Sequence, residues 1–118
     1  MLAFVVAPIG VSATSVVYGE PITINNPTPA QDDAFGHSVS IDGDKFVVGE
    51  PSDDTGAIDA GSAYLYDTAT GVLLQTFNNP TPTYDDIFGL SVSISGNKVL
   101  IGALYDDTGA MNAGSAYL

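Results

Sequence analysis

The stretch Phe35-Gly36-His37-Ser38-Val39-Ser40-Ile41-Asp42-Gly43-Asp44-Lys45-Phe46-Val47-Val48-Gly49 returns as Phe88-Gly89-Leu90-Ser91-Val92-Ser93-Ile94-Ser95-Gly96-Asn97-Lys98-Val99-Leu100-Ile101-Gly102. Phe35, His37, Val39 and Ile41 alternate with Gly36, Ser38 and Ser40, the period of two that a strand requires. Asp42-Gly43-Asp44 separates that run from the next apolar one. Asp-Gly in this position marks a tight hairpin, because such turns need positive φ. The second copy has Ser95-Gly96-Asn97 there and keeps the glycine. Phe46-Val47-Val48 and Val99-Leu100-Ile101 are continuously apolar, which fits a strand buried on both faces.

The repetition extends well beyond these strands. Residues 25–65 align on residues 78–118 without a gap at a constant offset of 53, with 27 identities in 41 positions. Such self-similarity signals a stacked or radial repeat, whose units supply surface rather than one reaction centre. A polar segment over residues 52–60 leads to Ser62-Ala63-Tyr64-Leu65-Tyr66, a turn over residues 67–71 follows, and Val72-Leu73-Leu74-Gln75-Thr76-Phe77 makes a fourth strand. Asn78-Asn79-Pro80-Thr81-Pro82 is stiff, cannot continue a ladder, and reads as the link between units. No helical period occurs. The expectation is an all-β chain of β-propeller blades, each a four-stranded antiparallel sheet. Residues 25–77 make the first complete blade, and residues 78–118 a second, truncated before its fourth strand. Propellers close with about 4–8 blades, so this is an incomplete propeller. It is either a fragment of a longer array or a chain that borrows the missing strand from another.

Fourteen Asp and Glu stand against Lys45 and Lys98 alone, a net charge of −12. That argues against nucleic acid and anionic membrane surfaces, which need a basic footprint. A hydrophobic fraction of 45% sets the chain apart from disordered acidic tails. The absence of cysteine excludes disulfides, thiolate metal sites and cysteine nucleophiles.

Residues 1–24 admit two readings. Residues 1–11 are apolar over a signal-peptide length and Val11-Ser12-Ala13 resembles a cleavage site, but no basic residues precede them. Alternatively, Phe4-Val5-Val6-Ala7-Pro8 is a degenerate copy of Phe46-Val47-Val48-Gly49-Glu50-Pro51, with Ser15-Val16-Val17-Tyr18 and Ile22-Thr23-Ile24 as further strands of a preceding blade. Pro8 and Gly10 interrupt the apolar run well short of the roughly 20 residues of a membrane span, so no membrane insertion is expected.

Phe35-Gly36 and Phe88-Gly89, followed by Gly49-Glu50-Pro51 and Gly102-Ala103-Leu104, resemble the two signatures of the FG-GAP repeat. Gly61-Ser62-Ala63-Tyr64 and Gly114-Ser115-Ala116-Tyr117 are similar to its third strand. The resemblance covers residues 25–118, although neither copy reads Gly-Ala-Pro in full. It implies the propeller of integrin α-subunits and of many bacterial extracellular proteins, hence an extracellular or cell-surface location and a protein or glycan ligand. It also implies calcium in an Asp-rich loop between the first two strands. That slot holds only Asp42-Gly43-Asp44 and Ser95-Gly96-Asn97, so the family's calcium loop is not carried over.

Asp54-Thr55-Gly56 and Asp107-Thr108-Gly109 spell the aspartic-protease triplet twice, and that chemistry needs two carboxylates sharing a proton. Ser52-Asp53 and Tyr105-Asp106 precede them in place of an apolar strand, and adjacent blades would hold the loops apart. Loop residues capping backbone groups are the expectation instead. His37, the only histidine, lies where the other copy has Leu90 and has no nucleophile beside it, so no Ser-His-Asp chemistry is expected. The acidic pairs Asp32-Asp33, Asp53-Asp54, Asp85-Asp86 and Asp106-Asp107 all fall in inter-strand loops. Calcium takes six to eight oxygens, which makes Asp53, Asp54 and Asp59 a candidate metal set, with Asp106, Asp107 and Asn112 weaker by one charge. The sequence therefore points to a non-enzymatic extracellular binding or adhesion module that meets further blades of the same array or another chain. A structural spacer, or a non-catalytic part of a propeller hydrolase, is the alternative.

Overall fold

A computed structural model describes residues 18–118. Seven strands run in chain order: β1 (Ser38–Asp42), β2 (Lys45–Glu50), β3 (Ser62–Asp67), β4 (Leu73–Asn78), β5 (Phe88–Ser95), β6 (Lys98–Ala103) and β7 (Ser115–Tyr117). They form two antiparallel meanders, β1-β2-β3-β4 and β5-β6-β7. Among the described residues there is no helix, and so none long and apolar enough to cross a membrane. The expected blades are present in order and number. The proposed leader or strand at residues 1–17 lies outside the described residues, while Ile22-Thr23-Ile24 is not a strand. Ile24 instead lays its side chain against the outer face of the first blade.

Two local expectations shift by a residue or more. The first hairpin turns on Gly43-Asp44 rather than Asp42-Gly43, since Asp42 still pairs with Lys45. Gly43, at φ 56°, takes the first central position, and Gly96 matches it at φ 56°, which is the glycine-first primed turn that suits strand twist. Phe35-Gly36 is also a turn rather than the start of β1. His37 donates its amide to the Ala34 carbonyl (3.1 Å), as Leu90 does to Ile87 (3.1 Å).

Alternation along the strands gives each sheet two faces, and the blades stack face to face. Val47, Ala63, Leu65 and Phe77 of the first blade meet Phe88, Val92, Ile94, Val99, Ile101 and Ala103 of the second, forming the main core. Val48, Tyr64 and Tyr66 point the other way, with Ile24, Phe35 and Phe46 against them. Val47 and Val48 are both buried, as a continuous apolar run predicts, but their counterparts differ: Ile101 is buried and Leu100 exposed. Among the described residues, the second blade has cover on one face only.

The phenylalanine anchors are equivalent in geometry and unequal in burial. Phe35 lies 5.8 Å from Tyr64 at a tilt of 54°, and Phe88 lies 5.4 Å from Tyr117 at 59°. Phe88 is buried between blades while Phe35 is half-buried. Identical residues differ in burial because they occupy different places in the stack.

Candidate functional site

Antiparallel pairing brings the long connections, residues 25–37, 51–61, 79–87 and 104–114, to one end of both sheets, and leaves only short turns at the other. Beneath these loops each blade holds the same polar assembly. In the first blade, Asn26 donates from Nδ2 to Asp33 Oδ2 (2.9 Å) and to Glu50 Oε1. The Ala30 amide also binds Asp33 Oδ2. Asp53 Oδ1 accepts the amide and hydroxyl of Thr55 (2.9 and 2.8 Å), and its Oδ2 accepts from Tyr64 Oη (3.1 Å). The Tyr64 hydroxyl also meets Thr28 Oγ1 at 3.2 Å. In this way β3 supplies the tyrosine, the end of β2 the glutamate, and two loops the remaining groups.

The second blade repeats the device. Asn79 donates to Asp86 Oδ2 (2.8 Å), Thr83 clamps Asp86 through its amide (2.7 Å) and hydroxyl (2.6 Å), and Tyr117 donates to Asp106. Asn79 Nδ2 also donates to the Ala60 carbonyl of the first blade (3.3 Å). In the first blade the corresponding donor, on Asn26, goes to Glu50, and Ala103 is the counterpart of Glu50. These buried carboxylates latch loops to sheet, since buried acceptors are costly unless paired, and Asn79 ties one blade to the next.

The electrostatics follow from burial and partners. Burial pushes the Asp53 carboxyl up, but hydrogen bonds from Ser62, Thr55 and Tyr64 outweigh it and leave it below its ordinary value. Asp106 is lowered in the same way, against burial, by Tyr117, Thr108 and Ser115. Glu50 goes the other way. It is 0% exposed, and burial, reinforced by repulsion from Asp53 and Asp33, pushes its carboxyl up to about 7 despite hydrogen bonds from Tyr64 and Asn26. Among the described residues its Oε2 is buried without a partner, as is Tyr66 Oη. Burial and the nearby Glu50 charge raise Tyr66 as well.

Several of the carboxylates that the sequence suggests for calcium accept hydrogen bonds within their own loops. Both oxygens of Asp53 accept bonds as described; Asp54 Oδ1 accepts the Asp59 amide (2.9 Å), and Asp107 Oδ1 accepts the Asn112 amide (2.6 Å). Asp106 Oδ1 accepts from Thr108 (2.6 Å). Among the described residues no three acidic or histidine side chains converge where an ion would sit. The Asp53, Asp54 and Asp59 set, like Asp106, Asp107 and Asn112, shapes its loop through these bonds. His37 is exposed.

The sequence reading did not single out Asn26, Asn79 or Glu50. Recurrence of the asparagines at the repeat offset, each just before a proline, was the available signal. Nothing local distinguished Asp33 and Asp86 from their neighbours Asp32 and Asp85. In the fold, Asp33 and Asp86 are buried, while Asp32 and Asp85 adopt φ of 67° and 63° at the turn.

Comparison with known proteins agrees with this architecture. No curated protein matches the chain significantly. The FG-GAP repeat model matches residues 27–66 and 83–118, which cover β1–β3 of the first blade and β5–β7 of the second. The tandem sheets, the Phe-Gly turns and the matched residues together make this chain a member of the FG-GAP repeat family.

Proposed function

We propose that this chain is a non-enzymatic β-propeller segment that acts as an extracellular binding or adhesion module. The observation that carries the reading is the loop end of the two blades. It presents Ile58, Tyr84, Leu104, Tyr105 and Met111 exposed, beside the exposed carboxylates Asp54 and Asp107. Large apolar and aromatic side chains on rigidly latched loops are what a protein or glycan surface engages. The latches fix the loops, and the exposed residues supply contact.

A spacer role in a large repeat surface protein is the second reading. It is favoured by the similarity of the two loops, Ser52-Asp53-Asp54-Thr55-Gly56-Ala57-Ile58-Asp59-Ala60 and Tyr105-Asp106-Asp107-Thr108-Gly109-Ala110-Met111-Asn112-Ala113. Solid-phase binding to a panel of glycans and extracellular-matrix proteins separates the two. The binding reading expects a ligand whose retention falls at least about tenfold in Tyr105→Ser/Met111→Ser, with the thermal melt unchanged. No ligand across the panel, or one indifferent to those loops, favours the spacer. Chemical conversion of a retained ligand overturns the non-enzymatic assignment.

A further inference from the structure

The contact between the blades contains a specific seat. The Phe88-Gly89 backbone lies in a groove floored by Ser38, Gly49, Ala60, Gly61 and Ser62 of the first blade. Ser38 Oγ donates to the Gly89 carbonyl (2.8 Å), and the Phe88 amide donates to the Ala60 carbonyl (3.0 Å). The glycines are required for the fit. A Cβ on Gly49 would stand 2.0 Å from the Gly89 oxygen, and one on Gly61 would stand 2.0 Å from the Phe88 oxygen.

The second blade carries the same groove, open. Ser91, Gly102, Ala113, Gly114 and Ser115 are its counterparts, residue type for residue type, and they line a cavity of about 390 Å³. A Cβ on Gly102 would meet only the Ser91 side chain closely. Leu100 lies exposed on this blade, where the first blade uses its counterpart Val47 to cover its neighbour. The matching plug is at the other end of the chain. Gly36 is exposed and has φ 88°, against 89° for the seated Gly89. Phe35 holds the same tilt to Tyr64 that Phe88 holds to Tyr117. Val39 and Ile41 are exposed beside this plug, whereas their counterparts Val92 and Ile94 pack in the interblade core.

We infer that copies of this chain join head to tail, the Phe35-Gly36 turn of one seated in the Ser91, Gly102 and Gly114 groove of the next. The contact is heterologous, so it builds closed rings or open chains rather than a symmetric pair. Each copy carries a charge of −12, so mutual repulsion opposes the apolar contact and added salt strengthens it.

Sedimentation velocity on the 118-residue chain over about 10–200 µM tests this. The wild type should associate progressively, and more at higher salt. Gly102→Ala blocks the groove and Phe35→Ala removes the plug, so each alone should remain a monomer. Mixed together, each still offers one good surface, and the mixture should form 1:1 pairs and nothing larger. Leu100→Glu alters an exposed side chain and should abolish association with the circular dichroism spectrum unchanged, which keeps the test valid if Gly102→Ala folds poorly. A wild type that stays monomeric throughout, a Leu100→Glu that associates as the wild type does, or a mixture of the first two variants that fails to pair overturns the inference.

Discussion

The two blades share most of their residues and differ in what covers them. Ile41 is 69% exposed and its counterpart Ile94 only 7%, although both are isoleucines on the same strand position. The second blade has its phenylalanine face buried against the first; the first has its own phenylalanine face only partly covered, by Ile24 and its neighbours. Burial here is a property of position in the stack, as expected when each repeat finishes its core on its neighbour.

The largest effect that tests this comparison is at the anchors. Phe88→Ala removes a fully buried ring from the interblade core and should cost about 3–5 kcal/mol. Phe35→Ala removes a half-buried ring and should cost roughly half as much. Urea unfolding followed by circular dichroism measures both. Equal losses would mean that the first blade's outer face is covered as well as the interior one.

Next come the glycines of the two grooves. Gly49→Ala forces a methyl group against the Gly89 carbonyl, and overpacking of this kind costs about 1–3 kcal/mol. Gly102→Ala meets only the Ser91 side chain, which can rotate, and should cost under about 1 kcal/mol. A Gly102→Ala variant as unstable as Gly49→Ala would show that the second groove is already filled.

How much of this was legible in the sequence follows from the same contrast. Strand order and the blade count were readable because period-two alternation, glycine turns and the 53-residue offset are local or repeated signals. The polar latch was not. Asn26, Asp33, Glu50, Asp53 and Tyr64 come together only after four separate segments meet at one end of the sheet, and no spacing between them encodes that. The turn at Gly43 was placed one residue early because Asp42-Gly43 has the stronger turn signature, while the ladder keeps Asp42 paired. The unequal burial of Phe35 and Phe88 could not be read from two identical letters.

Glu50 against Ala103 gives a smaller effect with a definite pH signature. With its carboxyl raised from an ordinary 4.5 to about 7, folded Glu50 holds its proton while the unfolded chain releases it. Its contribution is therefore fully present below about 4.5 and is lost as pH rises towards 7. Asp53 and Asp106 have the opposite sign: held below an ordinary 3.8, they stabilise above that value, and the contribution is lost as pH falls through their lower folded values. Stability should peak near pH 4–5 and decline towards neutrality. Glu50→Gln should flatten the decline and raise the melting temperature at pH 8 by roughly 5 °C. A melting temperature that falls in Glu50→Gln at pH 8 would mean that the glutamate is charged and paired.

The smallest expected effect separates the blades by a single charge. The first loop has Asp53, Asp54 and Asp59, and the second has Asp106, Asp107 and Asn112. A calcium ion that takes the Asp53 oxygens in the first loop competes with Thr55 and Tyr64 for them, whereas Asp54 commits only Oδ1, to the Asp59 amide. The ion therefore competes with the bonds that shape the loop, and the acidity of the chain alone does not make a cage. Binding should be no tighter than about 10⁻³ M, the weak end of extracellular calcium modules, and should shift the melting temperature by less than about 2 °C at 1 mM. Asp54→Asn should weaken it further, because Asp54 is the exposed carboxylate of the set, and should leave the first loop no better than the second. Calorimetric titration of wild type and Asp54→Asn measures this directly. Tight binding lost on Asp42→Asn and indifferent to Asp54→Asn would place the ion in the hairpin turn instead, where only Gly43 and Asp44 separate the paired residues Asp42 and Lys45.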